Sequence, residues 1–352
     1  MNSKIIGVGN YIPSQTITNL FFDKHRFLDE SGHALQQDNT TIADKLKEIT
    51  GIEERRYAQN NQVTSDLGFI AAQAAIENSG IDPETLDYII FAHNFGDVRF
   101  GTVQSDMVPS LASRVKHLLK IRNNFCVAYD VLFGCPGWIE AVIQANAFMK
   151  AGIAKRCLII GAETLSRVVD IHDRDSMIYA DGAGAAILEI SADDSGLKSH
   201  LSASFTMQEK DYLFFGKSYN NQNCPDIRFI KMNGRKIYEF ALLNVPNSMK
   251  KCLDDSGYSI DQLKKIIIHQ ANEKMDEAIV KRFYKLHNLP VPDNIMPMVI
   301  QKLGNSSVAT IPSLLTMILN NELPNHQINK GDVVLFASVG AGMNINAFVY
   351  KW

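Results

Sequence analysis

In YDVLFGCPGWIEAVIQANAF, residues 129–148, an apolar run ending in Val131-Leu132-Phe133 breaks at Gly134, and an amphipathic pattern starts after Pro136. A short, continuously apolar run reads as a buried strand, and the 3.6-residue pattern after it reads as a helix. Cys135 sits on the break. Gly134 permits a tight turn, and proline suits the first helical position because its missing N–H would have no partner there. A thiol at a helix N-terminus faces the positive end of the macrodipole, which lowers its pKa, and thiolate is the nucleophile. Taken alone, the stretch also fits a buried structural cysteine.

The chain has 352 residues, 46% of them apolar and 21% charged, with a formal net charge of −3. That length favours two units, and that charge gives no reason to expect nucleic acid or an anionic membrane as partner. The N-terminal MNSKIIGVGNYIP reads as a strand and a turn rather than a signal peptide. No stretch reaches membrane-spanning length, so a cytoplasmic protein is expected. The five cysteines are Cys126, Cys135, Cys157, Cys224 and Cys252, with no C-x-x-C and no His/Cys cluster at metal spacing. Neither a disulfide framework nor a metal site is expected, and Cys126 and Cys157 read as small buried side chains in apolar runs.

Two halves of the chain repeat each other. NSGIDPETLDYIIFA (78–92) lies over DSGYSIDQLKKIIIH (255–269) at an offset of 177, and CLIIGAE (157–163) falls on VLFASVG (334–340) at the same offset. The helix-patterned WIEAVIQANAFM (138–149) falls, less well, on LLTMILNNELPN (315–326). One offset held over about 85 residues implies a duplication, with halves 1–190 and 191–352 joined near SADDSGLKS. Helix patterns such as VTSDLGFIAAQAAIENSG (63–80) and VPSLASRVKHLLKI (108–121) alternate with short apolar strands. Sheets covered on both faces follow, and a five-layered α/β/α/β/α arrangement is expected. Residues 20–44 and 94–107 read as polar surface loops, or as a roof over a substrate tunnel.

IIIHQAN (266–272) ends a buried strand with His269, and KLGNSSVATIPSLL (302–315) is a Gly-Asn-Ser-Ser loop that opens a helix. A pseudo-twofold brings equivalent strand ends together, so Cys135, His269 and Asn305 are expected to meet although 134 and 36 residues separate them. DGAGAAIL (181–188) runs into a strand rather than a helix, which points to core packing and not to nucleotide binding.

With IIGVGNYIP, TGIEERR (50–56), MNGRKIYEFA (232–241), HQAN, GNSS and VGAGMNINAFV in this order and spacing, the chain resembles the ketoacyl-acyl carrier protein synthase III condensing enzymes of the thiolase superfamily. The resemblance implies a Cys-His-Asn mechanism without a cofactor. Cys135 accepts an acyl group, while His269 and Asn305 bind the thioester carbonyl of a malonyl-type or β-ketoacyl extender. Backbone N–H groups of Cys135 and Ala341 hold the acyl oxyanion, although family members usually have glycine at the second position. The resemblance also implies pantetheine contacts by Asn272, Asn233, Gly234 and Arg174, and an acyl pocket bounded by Met107, Val108 and Tyr238. It further implies a homodimer and an acyl carrier protein partner, which Lys274, Lys281 and Arg282 would dock. The Trp and Arg that clamp the adenine of coenzyme A are replaced here by Lys45 and Ile49, which favours a carrier-bound donor.

Three other readings stand beside this one. FGCPGW and the lost clamp resemble the ketosynthases of dialkylresorcinol and flexirubin-type products, which condense and cyclise two acyl thioesters. A papain-like cysteine peptidase shares the Cys, His, Asn order but not the duplication. A non-catalytic ketosynthase partner subunit typically loses the cysteine that this chain keeps. A two-cysteine thiolase would need a second Cys in SVGAGMN, which has none.

Overall fold

The computed structural model describes residues 2–220 and 226–352; Cys224 lies outside the described residues. In chain order the strands are β1 (Asn2–Tyr11), β2 (Gln15–Thr18), β3 (Glu54–Tyr57), β4 (Tyr88–Ala92), β5 (Val127–Val131), β6 (Arg156–Thr164), β7 (Asp181–Ser191), β8 (Gly196–Ser204), β9 (Leu213–Lys217), β10 (Arg228–Met232), β11 (Leu263–Ile268), β12 (Val333–Gly340) and β13 (Asn344–Lys351). The helices are α1 (Asn39–Thr50), α2 (Thr64–Ser79), α3 (Leu111–Leu118), α4 (Gly137–Lys150), α5 (Gly234–Ser256), α6 (Glu273–Lys285), α7 (Ile300–Leu303) and α8 (Thr310–Leu319).

Two sheets carry the architecture, ordered β1-β7-β6-β4-β5 and β11-β12-β13-β8. β5, β4 and β6 run parallel, as do β11 and β12, and the remaining neighbours in both sheets are antiparallel. The second sheet has an irregular edge where the first has β5: the Ile266 N–H donates to the Ile295 carbonyl at 2.8 Å.

The period of two along each strand builds the layers. Ile90, Ala92 and Ile159 on the first sheet and Val334, Phe336 and Phe348 on the second face a shared core with Trp138 and Val142 of α4 and Leu314 and Leu315 of α8. The alternate residues Ile89, Phe91, Leu158 and Ile160 pack under α2 and α3. Val333, Leu335 and Ala337 pack under α5 and α6. The result is the α/β/α/β/α order, with α4 and α8 as the shared middle layer. Every residue of β12 is buried, as continuous apolar strands between two helix layers must be.

The middle layer lies close on the first sheet because glycines admit it. A Cβ on Gly161 would stand 2.5 Å from the Val308 carbonyl oxygen, and one on Gly184 would stand 2.6 Å from the Ser313 nitrogen. Gly184 of DGAGA therefore serves packing against α8, as its sequence context implies.

The offset of 177 holds for β4 with β11 and for β6 with β12, but not for the middle helices. α8 begins several residues before the position paired with α4, because the Gly304–Ala309 segment enters it through a short 3-10 turn (Ser307–Ala309). Residues 20–44 also differ from a surface loop. Phe22, Phe27 and Leu28 are buried, and Phe22 and Phe27 join Ile42, Met177 and Ile300 in a separate apolar cluster. Residues 94–107 are a pinned loop: Asp97 and Asp106 exchange backbone hydrogen bonds at 3.1 and 2.9 Å, and the Asp97 carboxylate accepts from Ser65 and Arg114.

Candidate active site

Parallel strands release their side chains at one pole. Cys135 follows β5, Asn94 follows β4, Glu163 is the penultimate residue of β6, and His269 directly follows β11. Crevices at the carboxyl ends of parallel strands are where α/β folds bind ligands. β12 ends at the same pole, and Gly340 packs directly on the cysteine: a Cβ there would be 2.5 Å from the Cys135 nitrogen. Gly134, at φ +70°, brings the chain against Ala341, whose backbone nitrogen would be 2.8 Å from an added Cβ. Asn344 ties the turn together by donating through Nδ2 to the carbonyls of Ala341 (2.8 Å) and Phe133 (3.4 Å). Ala341 is absent from the non-glycine residues with left-handed φ, so the alanine sits there without backbone strain.

α4 starts at Gly137 with Pro136 in the cap position, so Cys135 stands one residue before the cap. The expected low thiol pKa is not found. Burial pushes the Cys135 thiol up to about 11, and the neighbouring Glu163 carboxyl acts in the same direction. The opposing influence is the Ser307 hydroxyl, which donates to Sγ at 3.2 Å. A helix terminus stabilises a nearby anion, but desolvation dominates here.

His269 is buried, and among the described residues neither ring nitrogen has a hydrogen-bond partner. Burial alone pushes its imidazole down to about 4, so the ring is neutral at pH 7 and carries one N–H donor. Its backbone N–H is anchored on the Ala337 carbonyl at 2.9 Å. Asn305 is placed by two backbone hydrogen bonds with the Ile178–Ala180 segment. The Asn305 Oδ1 accepts the Ser307 N–H at 2.9 Å, which assigns its Nδ2 as the free donor end. Contacts thus join Asn305 to Cys135 through Ser307, while His269 reaches the same pole through the β11–β12 pair.

Other residues singled out in the sequence lie further out. The Asn272 and Asn233 side chains cap α6 and α5, accepting from Met275 and Lys236 at 3.0 and 3.3 Å. Arg174 and Gly234 are exposed. Tyr238, Met107 and Val108 are exposed, Val108 to 87%. Lys274, Lys281 and Arg282 lie on the exposed face of α6, and Lys274 is 3.5 Å from Glu48 of α1. Lys45 and Ile49 are exposed one turn apart on α1. Among the described residues no group of three or more His, Cys, Asp or Glu could hold a metal, and no helix is long and apolar enough to cross a membrane.

Sequence reasoning missed Ser307, Asn94 and Glu163. Asn94 Nδ2 donates both to the Glu163 carboxyl and to the Ser307 hydroxyl, the latter at 3.1 Å. The available signal was a polar residue closing each buried strand: Asn94 in YIIFAHN and Glu163 in CLIIGAE.

Two sheets stacked through a shared helix pair, with the strand ends of both halves converging on one turn, define the thiolase-like class of condensing enzymes. Residues 129–204 match the family model of 3-oxoacyl-[acyl-carrier-protein] synthase III, and residues 253–352 match the model of its C-terminal part. The chain is 31% identical over 353 residues to β-ketoacyl-[acyl-carrier-protein] synthase III of Staphylococcus haemolyticus (strain JCSC1435), covering 100% of this chain and 99% of that one. It is also 31% identical to the enzyme of the same name from Prochlorococcus marinus (strain MIT 9215), covering 98% and 96%. The crystal structure of 3-oxoacyl-[acyl-carrier-protein] synthase III from Aquifex aeolicus VF5 superposes with a TM-score of 0.82 at 28% identity, over 99% of this chain and 100% of that one. This chain belongs to the 3-oxoacyl-[acyl-carrier-protein] synthase III family, acyltransferases that form a carbon–carbon bond by Claisen condensation.

Proposed function

We propose that the chain loads an acyl group onto Cys135 from a carrier-bound thioester and condenses it with a malonyl-type thioester held by His269 and Asn305. The observation that carries this reading is the His269 ring, buried, neutral and without a partner on either nitrogen. An unpaired buried polar group is costly, so a ring kept in that state at the pole that also carries Cys135 is explained by a ligand that supplies the acceptor.

The Cys135 sulfur attacks the donor carbonyl, and the donor thiol leaves with the proton that Cys135 gives up. The backbone N–H groups of Cys135 and Ala341 stabilise the tetrahedral oxyanion. His269 and Asn305 Nδ2 then donate to the thioester oxygen of the extender. Carbon dioxide leaves, its bonding electrons form the enolate, and neutral donors hold the charge. The enolate carbon attacks the acyl-Cys135 carbonyl, the C–S bond breaks, and Cys135 regains a proton. Asn233 and Asn272 use Oδ1 for capping, which leaves their N–H groups for pantetheine, beside Gly234 and Arg174.

The carrier-bound donor follows from α1. Lys45 and Ile49 cannot sandwich an adenine, a contact worth about 1–3 kcal/mol when desolvated. The exposed stripe Lys274, Lys281 and Arg282 begins five residues after His269, and suits an acidic carrier protein. A second copy of the chain would cover the open edge of the first sheet, where Phe125 is 89% exposed and Val127 and Leu132 are also exposed. Met107 and Val108 would then close the acyl pocket of the partner.

Intact-mass analysis after incubation with a panel of acyl-CoA and acyl-carrier thioesters tests this reading. Longer chains are expected on Cys135, faster from carrier than from CoA, and Lys45→Trp with Ile49→Arg should narrow that gap. Equal loading from acetyl-CoA would defeat the carrier-bound donor. A cyclised product from a β-ketoacyl extender would mark the dialkylresorcinol-type variant.

A further inference from the structure

Ser307 is buried and has a left-handed φ of +52°, a conformation that a serine keeps only where its neighbours dictate it. Its backbone N–H serves Asn305 and its hydroxyl serves Cys135. The direction of that second bond matters. A hydroxyl that donates to sulfur stabilises thiolate, whereas one that accepts from S–H stabilises the thiol. Asn94 selects the first: its Nδ2 donates into the Ser307 oxygen, leaving the hydroxyl proton for the sulfur. Asn94 is held in turn by Glu163, whose carboxyl accepts the other Nδ2 hydrogen.

We infer that Asn94 and Glu163 are positioning residues for Cys135: they hold the Ser307 hydroxyl as a donor to the sulfur and so set how readily the thiol reacts. Glu163 stands in β6 and Asn94 just past the end of β4, and they reach a serine that precedes α8, so the chain of donors spans the two halves. Glu163 adds a pH dependence. Burial pushes its carboxyl up to about 8, and its charge, once formed, raises the Cys135 thiol further. Other titratable groups also face this cluster. Asp181, itself raised by burial, acts on Glu163; Tyr179, raised well above its usual value by burial, feels the charges of Asp175 and Cys135; Asp175 is raised to about 7 by burial and Asp173; and His269 lies at about 4.

The inference rests on Cys135 as the nucleophile, so its test measures the thiol without catalysis. Alkylation of Cys135 by iodoacetamide is followed by intact mass from pH 6 to 10. In the native protein the log rate should rise with pH less steeply than one per unit around pH 8, because Glu163 ionises there. Glu163→Gln keeps an acceptor oxygen without the charge; it should react within about twofold of native at pH 7 and restore unit slope. Asp175→Asn, as a control, should leave the shallow region in place. Ser307→Ala should slow alkylation at pH 7 about 10-fold, as expected for one lost hydrogen bond to the sulfur. Asn94→Ala should slow it several-fold alone, yet by less than about twofold in the Ser307→Ala background, since it acts through that hydroxyl. Additive effects of Asn94→Ala and Ser307→Ala, or a shallow region that survives Glu163→Gln, would overturn the inference. A protein that no thioester acylates on Cys135 would defeat the proposed loading but leave this alkylation profile intact as a test.

Discussion

The surroundings of Cys135 and of His269 are opposites. The thiol, at the end of the first sheet, receives a hydrogen bond from a serine that is itself held by an amide and a carboxyl. The imidazole, at the end of the second sheet, has no partner on either nitrogen among the described residues. The contrast is what the proposed division of labour requires. A nucleophile that stays covalently on the protein must be tuned in advance, whereas a donor for a developing oxyanion must be kept free until the substrate brings the acceptor.

Cys135→Ala gives the largest effect that would sharpen this contrast. It should abolish self-acylation in intact-mass assays, whereas His269→Ala and Asn305→Ala should still acylate. Those two variants should instead lose about 10²–10³-fold in condensation rate, the usual cost of removing an oxyanion donor. Equal loss of acylation in all three would make His269 an obligatory base for the thiol and erase the contrast.

Stability against pH separates the two sites next. His269 is pushed below its ordinary value, to about 4, so its neutral form is the one the fold accepts. Its contribution is intact above about pH 6.5 and is lost as pH falls towards 4, by at most about 3 kcal/mol. Glu163 has the opposite sign: raised to about 8, it favours the fold below its ordinary carboxyl range and loses that contribution as pH rises through 8. Urea unfolding across pH 4–9 should show His269→Gln flattening only the acid limb and Glu163→Gln only the alkaline one. If both variants change the same limb, the two sites are not electrostatic opposites.

A smaller effect concerns the layer that joins them. Gly184→Val would put a side chain into the Pro312–Ser313 backbone of α8, and overpacking of this kind costs about 1–3 kcal/mol. Because Asn305 and Ser307 lead into α8, condensation should fall together with the melting temperature. A destabilised variant of native activity would show that the loop is positioned independently of the helix.

The smallest effect lies outside both sites. Lys274→Glu with Arg282→Glu should weaken condensation with carrier-bound substrate about 3- to 10-fold at low salt, and less as salt screens the charges. Lys274 already faces Glu48, and exposed pairs are individually weak, so most of the effect should come through steering rather than a single contact. A defect that is indifferent to salt would place the carrier elsewhere.

Much of this was legible in local pattern. YIIFA, CLIIG and VVLFASVG are continuous apolar runs that can only be strands buried on both faces, and each is one. Their recurrence at one offset exposed the duplication, because strand registers in a packed sheet tolerate little drift. The middle helices escaped that offset, since a loop can lengthen before a helix without disturbing the sheet beneath it. Residues 20–44 were misread because Phe22, Phe27 and Leu28 are spaced without a period, and only the surface they meet shows why they are apolar.

By itself the sequence determined the buried strands, that β4 and β6 recur as β11 and β12 at one offset, and that Cys135, His269 and Asn305 fall at strand and helix ends. Those facts depend on period, turn chemistry and spacing, all of which are local. Only the tertiary structure decided the state of those groups. The helix start beside Cys135 argued for an acidic thiol, but desolvation at the pole sets it near 11, and desolvation depends on every layer that covers the site. The same holds for Ser307, Asn94 and Glu163: each is unremarkable in its own stretch, and the hydrogen bonds that join them to the sulfur exist only because residues 69 and 213 positions away from Asn94 are packed against it.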